Sequence, residues 1–191
     1  MGRMYQPLKH KAAPGNKGPK KRKTMREITL RTAYSGLLIA VMLVLGYVES
    51  LLPAVGAVPG IKLGLSNSVL IFAVYMLDLP TAWMLMILKV LLSGLLFGGA
   101  TTMLYASAGG VLSMLAMSIL SRSKGVHPVT VSITGAVMHN VGQVAMAMLL
   151  LGARQLLYYM AVLVVVGMVC GALTGVCAVS VMKHLKAARR Q

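Results

Sequence analysis

Apolar residues run along this chain in long blocks with little regular alternation, and short polar or glycine- and proline-bearing stretches separate the blocks. Residues 30–51 form the first block and 63–77 a shorter second one. The third covers 79–97, the fourth 101–120, the fifth 128–151 and the sixth 156–182. A helix needs about 20 apolar residues to cross the hydrocarbon of a bilayer. Five blocks approach or exceed that length. The second, about 22 Å long as a helix, is either a short span or a re-entrant segment. The punctuation fits helices. Asp78-Leu79-Pro80 is a helix start, since proline is tolerated in a first turn. Gly98-Gly99, Arg122 to Pro128 and Gly152 to Gln155 mark turns. The pattern therefore predicts an all-α polytopic membrane protein, a bundle of six transmembrane helices over 26–183. Basic tails flank it at 1–25, rich in Lys, Gly and Pro and expected to be disordered, and at 184–191.

Composition supports that class. Hydrophobic residues make up 58% of the chain and charged residues 12%, about half the charged share of a soluble domain. The net charge of +16 raises the question of nucleic acid. The basic tail lacks aromatics to stack on bases, and the rest of the chain is too apolar for water, so nucleic acid is not an expected partner. Charge placement instead sets topology. With six spans, one side holds the ten basic residues of 1–31, Arg122, Lys124, Lys183, Lys186, Arg189 and Arg190, and the other only Lys62 and Arg154. That asymmetry puts both termini in the cytoplasm. Cys170 and Cys177 lie seven residues apart within one block, roughly 10 Å along a helix, too far to bridge.

The polar residues inside the oily blocks carry the candidate chemistry. Between the first two blocks stands ESLLPAVGAVPGIKLGLSN, residues 49–67, whose prolines and glycines forbid a regular helix. Irregular backbone at membrane depth is tolerated where it is buried in protein or lines a cavity, so this connector is expected to fold over the bundle mouth. Glu49 and Lys62 either staple it or face a ligand. Lys89, in mid-block, either faces the interior or snorkels toward an end, because an ammonium in lipid costs roughly 2.5–3.5 kcal/mol. In GAVMHNVGQV, residues 135–144, His139 and Gln143 share a helix face and Asn140 points about 100° away. Ligand contact and interhelical hydrogen bonding both fit them. One histidine without nearby cysteine or carboxylate makes a poor metal site. Glu27, Glu49 and Asp78 are the only carboxylates, which leaves little for general acid–base catalysis or for Mg²⁺ on a diphosphate. No catalytic motif and no cofactor site is read. Tyr105, Tyr158, Tyr159 and Trp83 stand near predicted span ends, where aromatic rings anchor at interfaces. Gly109-Gly110 allows a close helix approach, and the 16 methionines fill core gaps.

Taken together, Glu49 to Pro53 (E-x-x-L-P), Pro59 to Asn67 (PGIKLGLSN), Leu95 to Gly98 (LLFG), the Tyr105 to Gly110 pattern and Gly135 to Gln143 (GAVMHNVGQ) resemble the Gx transporter family. Its members are also described as heptaprenyl diphosphate synthase component I. The resemblance covers about residues 26–182 and excludes the basic tail; Ser66 departs from the alanine of the pattern. This family is similar to the substrate-binding S-components of energy-coupling-factor (ECF) transporters. The resemblance implies an outward pocket capped by the connector, lined by Glu49, Lys62, Asn67, Lys89, His139, Asn140 and Gln143. It also implies a small-residue face, Ala33, Gly36 and Ala40, that docks an ECF coupling protein working with ATPase subunits. On the alternative reading the chain is the non-catalytic membrane partner of a soluble prenyl diphosphate synthase subunit. Membrane lipid surrounds it on either.

Overall fold

A computed structural model describes residues 25–51 and 65–188 of the chain. Its helices are α1 (Met25–Leu51), α2 (Leu65–Met76), α3 (Leu79–Ser93), α4 (Gly99–Leu120), α5 (Pro128–Leu151) and α6 (Leu156–Ala188), with a π turn, Gly94–Gly98, joining α3 to α4. There is no strand among the described residues.

Local chemistry explains the boundaries. The Asp78 carboxylate caps α3 by accepting from the Thr81 amide at 2.9 Å, with Pro80 in the first turn. His127 caps α5 through Nδ1, 3.3 Å from the Val129 amide, and Pro128 opens that helix. Gly152 closes α5 at φ 63°, a left-handed backbone that glycine adopts without strain. The predicted turn at Gly98-Gly99 takes a different form. Helical bonding continues through the π turn, so Leu79 to Leu120 is one helical stretch and the described residues hold five helices rather than six separate ones. The chain still reverses inside that stretch, at Gly99, whose φ is 68° and ψ 179°. Trp83 Nε1 donates to Ser118 Oγ at 3.3 Å. Along a straight helix those residues would stand about 50 Å apart.

Among the described residues four stretches are long and apolar enough to cross a membrane: Met25–Glu49, Leu79–Leu120, Pro128–Leu151 and Leu156–His184. The 12 residues of α2 reach only about 18 Å. This short helix is the hub of the bundle. It packs on α1, α3, α5 and α6 and touches α4. Its Leu70, Ile71 and Ala73 are wholly buried against Met42 of α1, Leu85 of α3 and Met114 of α4. Methionines fill this core as expected, Met42, Met86, Met114 and Met117 all being buried. Paired contacts fix the ends. At one end Arg31 of α1 forms an ion pair with Asp78, Trp83 meets Ser118 and Gly175 of α6 lies on Val129. At the other, Glu49 meets Ser66. The starts of α1, α3 and α5 therefore share an end with the C-terminal part of α6.

Helices α4, α5 and α6 form a tightly packed sheet of three. Without a hydrophobic gain between helices in lipid, small residues that let backbones approach drive such packing. A Cβ on Gly142 would stand 2.8 Å from the Ala108 carbonyl oxygen, and one on Gly171 2.8 Å from Ile133 Cα. Tyr105, expected near an interface, is instead buried between α4 and α5, packed with Val144 and Ala147. Tyr158 is exposed, as an interfacial ring would be. Cys170 and Cys177 are free thiols.

Candidate functional site

The inward face of α1 repeats every three or four residues as Leu38, Met42, Gly46 and Glu49. Glu49, at its end, is only 6% exposed. Its Oε2 accepts from the Ser66 hydroxyl of α2 at 3.3 Å. One turn earlier, Gly46 brings α1 close to two hydroxyls: its missing Cβ would lie 3.9 Å from both Ser66 Oγ and Ser93 Oγ. Ser93 belongs to α3, one turn beyond Lys89, and both are buried. Lys89 is 5% exposed, which settles its direction: it faces the interior. The end of α1 that carries the carboxylate thus meets hydroxyls from α2 and α3, and α3 also buries the ammonium one turn before Ser93.

From the opposite wall, α5 contributes His139 and Gln143, each 1% exposed. Their Nε2 atoms are 2.9 Å apart. Two donors cannot share that contact, so with the amide nitrogen as donor the imidazole accepts at Nε2 and, when neutral, carries its proton on Nδ1. Nδ1 makes no well-formed hydrogen bond among the described residues and faces the backbone of Gly109 on α4. A Cβ there would stand 2.8 Å from Nδ1 and 2.6 Å from the His139 carbonyl oxygen. Gly109 is what allows the ring to sit between the helices. Lys89 of α3 and His139 of α5 are thus both buried in the bundle interior. The polar group runs from mid-bundle toward the end where α1 finishes.

Asn140 faces elsewhere. Its Nδ2 donates to the Leu163 carbonyl of α6 at 2.8 Å, fully buried. Gly167 makes room for it, since a Cβ there would meet Nδ2 at 2.7 Å. Asn140 therefore bolts α5 to α6, apart from Lys89 and His139. Lys62, the rest of the connector 52–64 and the side chain of Asn67 lie outside the described residues. Ala33, Gly36 and Ala40 all stand on the exposed side of α1. Nothing among the described residues comes within 4 Å of a Cβ built on Gly36.

Sequence reading missed several participants. Ser66 and Ser93 sit in apolar blocks where single serines carry no signal, and Arg31 finds Asp78 across 47 positions of sequence. One omission was legible: Gly167, Gly171 and Gly175 repeat every fourth residue in α6, the small-residue spacing of close helix pairs.

Chemically, the cluster offers one carboxylate, Glu49, one ammonium, Lys89, and the mixed donors and acceptors of Gln143, His139 and the serines, framed by Leu, Val and Met. A few directed polar groups in an apolar frame is the character of a binding site. No group of three His, Cys, Asp or Glu side chains among the described residues is placed to share a metal ion.

No curated protein and no solved structure matches the chain. A comparison with protein families matches residues 38–181 to heptaprenyl diphosphate synthase component I. The match takes in α1 from its first core residue, Leu38, through the whole polar cluster to Val181 of α6, and on it the chain belongs to the heptaprenyl diphosphate synthase component I family.

Proposed function

We propose that the protein is the substrate-binding subunit of a membrane transport system, resembling an ECF S-component, and that it crosses the bacterial cell membrane six times with both termini in the cytoplasm. The observation that carries this reading is the burial of Glu49, Lys89, His139 and Gln143 toward one interior from three helices. Ionisable groups inside a membrane bundle mark ligand or ion paths far more often than structure alone. On this reading α2 and the Gly99 reversal supply the fifth and sixth crossings, α2 by local thinning of the bilayer around a short helix. The connector 52–64 with Lys62 and Asn67 roofs the site, and Glu49, Lys89, His139 and Gln143 bind a small polar molecule from the outer face. Asn140 supports the wall. Ala33, Gly36 and Ala40 form the face on which a coupling protein with its ATPase subunits would dock.

The family match favours a second reading, a non-catalytic membrane component that partners a soluble prenyl diphosphate synthase subunit. With Glu27, Glu49 and Asp78 as its only carboxylates, the chain would leave the Mg²⁺-diphosphate chemistry to that partner.

Thermal-shift and uptake screens of the purified protein against vitamins, flavins and prenyl phosphates separate the two. Transport predicts that one small molecule raises the melting temperature and that Lys89→Met removes the shift. Co-purification of a soluble synthase subunit that gains activity, with no small molecule bound, would overturn it.

A further inference from the structure

Four buried side-chain atoms among the described residues make no well-formed hydrogen bond: Ser113 Oγ, Ser132 Oγ, His139 Nδ1 and Asn140 Oδ1. Ser132 and Asn140 face α6, beside Gly175 and Gly167. They stand eight residues apart on α5, about 12 Å, so no single small molecule serves both. Ser113 and His139 differ. Both lie in the seam between α4 and α5, and both are more than nine-tenths buried.

In that seam each polar residue is set against a glycine of the other helix. His139 Nδ1 would be 2.8 Å from a Cβ on Gly109 of α4, and Ser113 Oγ 3.4 Å from a Cβ on Gly135 of α5. Gly109 and Ser113 are one turn apart on α4, as Gly135 and His139 are on α5. The pairing order makes the two helices antiparallel. A Cα–Cβ bond tilts toward the N-terminus of its own helix. Ser113 therefore leans toward the level of Gly109, where the imidazole sits, and His139 leans toward the level of Gly135, beside the hydroxyl. That brings the two atoms to about one turn, 5.4 Å, of each other. Two hydrogen bonds through one water oxygen, each about 2.8 Å long, span the same distance.

The two groups also match water chemically. A protonated Nδ1 can only donate, whereas a hydroxyl both donates and accepts. Water accepts from the first and donates to the second, and its other proton can meet the open lone pair of a helix carbonyl. One imidazole and one hydroxyl make a poor metal site. A buried polar atom left without a partner destabilises the fold, and hydrocarbon supplies no solvent to relieve it. Buried waters answer such atoms, typically with about three hydrogen bonds each.

We infer that one water molecule is bound between α4 and α5, accepting from His139 Nδ1 and donating to Ser113 Oγ. Ser113 is then a positioning residue. Through the water it holds the imidazole in the tautomer whose Nε2 meets Gln143. This water site rests on the fold alone and stands or falls apart from the transport reading.

Water-edited solid-state NMR of the full chain, isotope-labelled at its histidine nitrogens and reconstituted in phosphatidylglycerol vesicles, tests this. The His139 signals are those that His139→Gln removes. Magnetisation is expected to pass from water to a protonated Nδ1 of that ring. Ser113→Ala is expected to cut the transfer about fivefold, the factor that one lost hydrogen bond supplies, and to raise the share of the Nε2-protonated tautomer. The wild-type transfer is read without any variant, so the site stays testable if Ser113→Ala folds poorly. No transfer to Nδ1 in the wild type would mean that the ring bonds the Gly109 backbone directly, and would end the proposal. Transfer equal in wild type and Ser113→Ala would mean that water reaches the ring without Ser113, and would end it as well. A wild-type ring protonated at Nε2 instead would leave the water nothing to accept from Nδ1 and overturn it.

Discussion

Helices α1 and α5 use glycine in opposite ways. On α5, a Cβ at Gly135 or Gly142 would meet Met117 or the α4 backbone at under 3 Å. On α1, a Cβ at Gly36 would meet nothing within 4 Å among the described residues. Most of the outward face of α1, from Leu37 through Val44 to Leu51, is exposed, whereas α5 buries Ser132, His139, Asn140 and Gln143 as well as its apolar residues. Lipid competes equally well for any apolar side chain, so helices that hold together in a membrane do so through close backbone approach and directed polar contacts. By that measure α4, α5 and α6 are a fixed scaffold that carries His139 and Gln143. α1 is the more weakly held wall that carries Glu49.

The comparison can be broken first where it is tightest. Gly142→Val forces a side chain onto the Ala108 carbonyl and should cost about 3 kcal/mol, lowering the melting temperature in detergent by roughly 10 °C. A shift within a degree or two would show that α4 and α5 are not in this contact. Next comes the site itself. Lys89→Met should weaken ligand binding ten- to a hundredfold, the range for a lost charged hydrogen bond, with the size-exclusion profile unchanged. Binding unaffected by this change would remove Lys89 from the site.

The third effect is smaller and depends on pH. The hydroxyl of Thr81, with its amide and the Arg31 guanidinium, outweighs partial burial and holds the Asp78 carboxyl at about 2, below its ordinary 3.8. The folded state thus favours the carboxylate. Its contribution is complete above pH 3.8 and is lost as pH falls through about 2. Asp78→Asn keeps a capping side chain and loses the ion pair, so it should melt slightly below wild type at neutral pH and converge with it at pH 2. Parallel melting curves across that range would place the ion pair outside the folded state's stability. The smallest effect belongs to Gly36→Val, expected to stay within about 0.5 kcal/mol in the isolated chain. A marked loss of stability would mean that α1 packs where the structure leaves it open.

Legibility differed by the kind of signal. The Asp78 cap, Pro128 start and Gly152 stop were readable because capping is local: the groups that meet are within three residues. Burial of Lys89 was narrowed by its mid-block position alone, since hydrocarbon penalises the exposed alternative. Asn140, grouped with the binding residues from its place in GAVMHNVGQV, turned to Leu163, because a 100° step on a helix selects a different neighbour and only the position of α6 names it. The reversal at Gly98-Gly99 was located correctly, while its π turn was invisible, as the shift from one hydrogen-bond register to the next leaves composition unchanged.

Hydropathy, helix punctuation and the scarcity of charge were enough, by themselves, to establish an all-helical membrane chain and to single out Glu49, Lys89, His139, Asn140 and Gln143 among its buried polar residues, because the cost of polar groups in hydrocarbon acts on each segment separately. Which of those residues meet was decided only in three dimensions. Glu49 with Ser66, Asn140 with Leu163 and Arg31 with Asp78 all depend on how separate helices are placed, and the glycines that let them approach constrain distance without naming the partner.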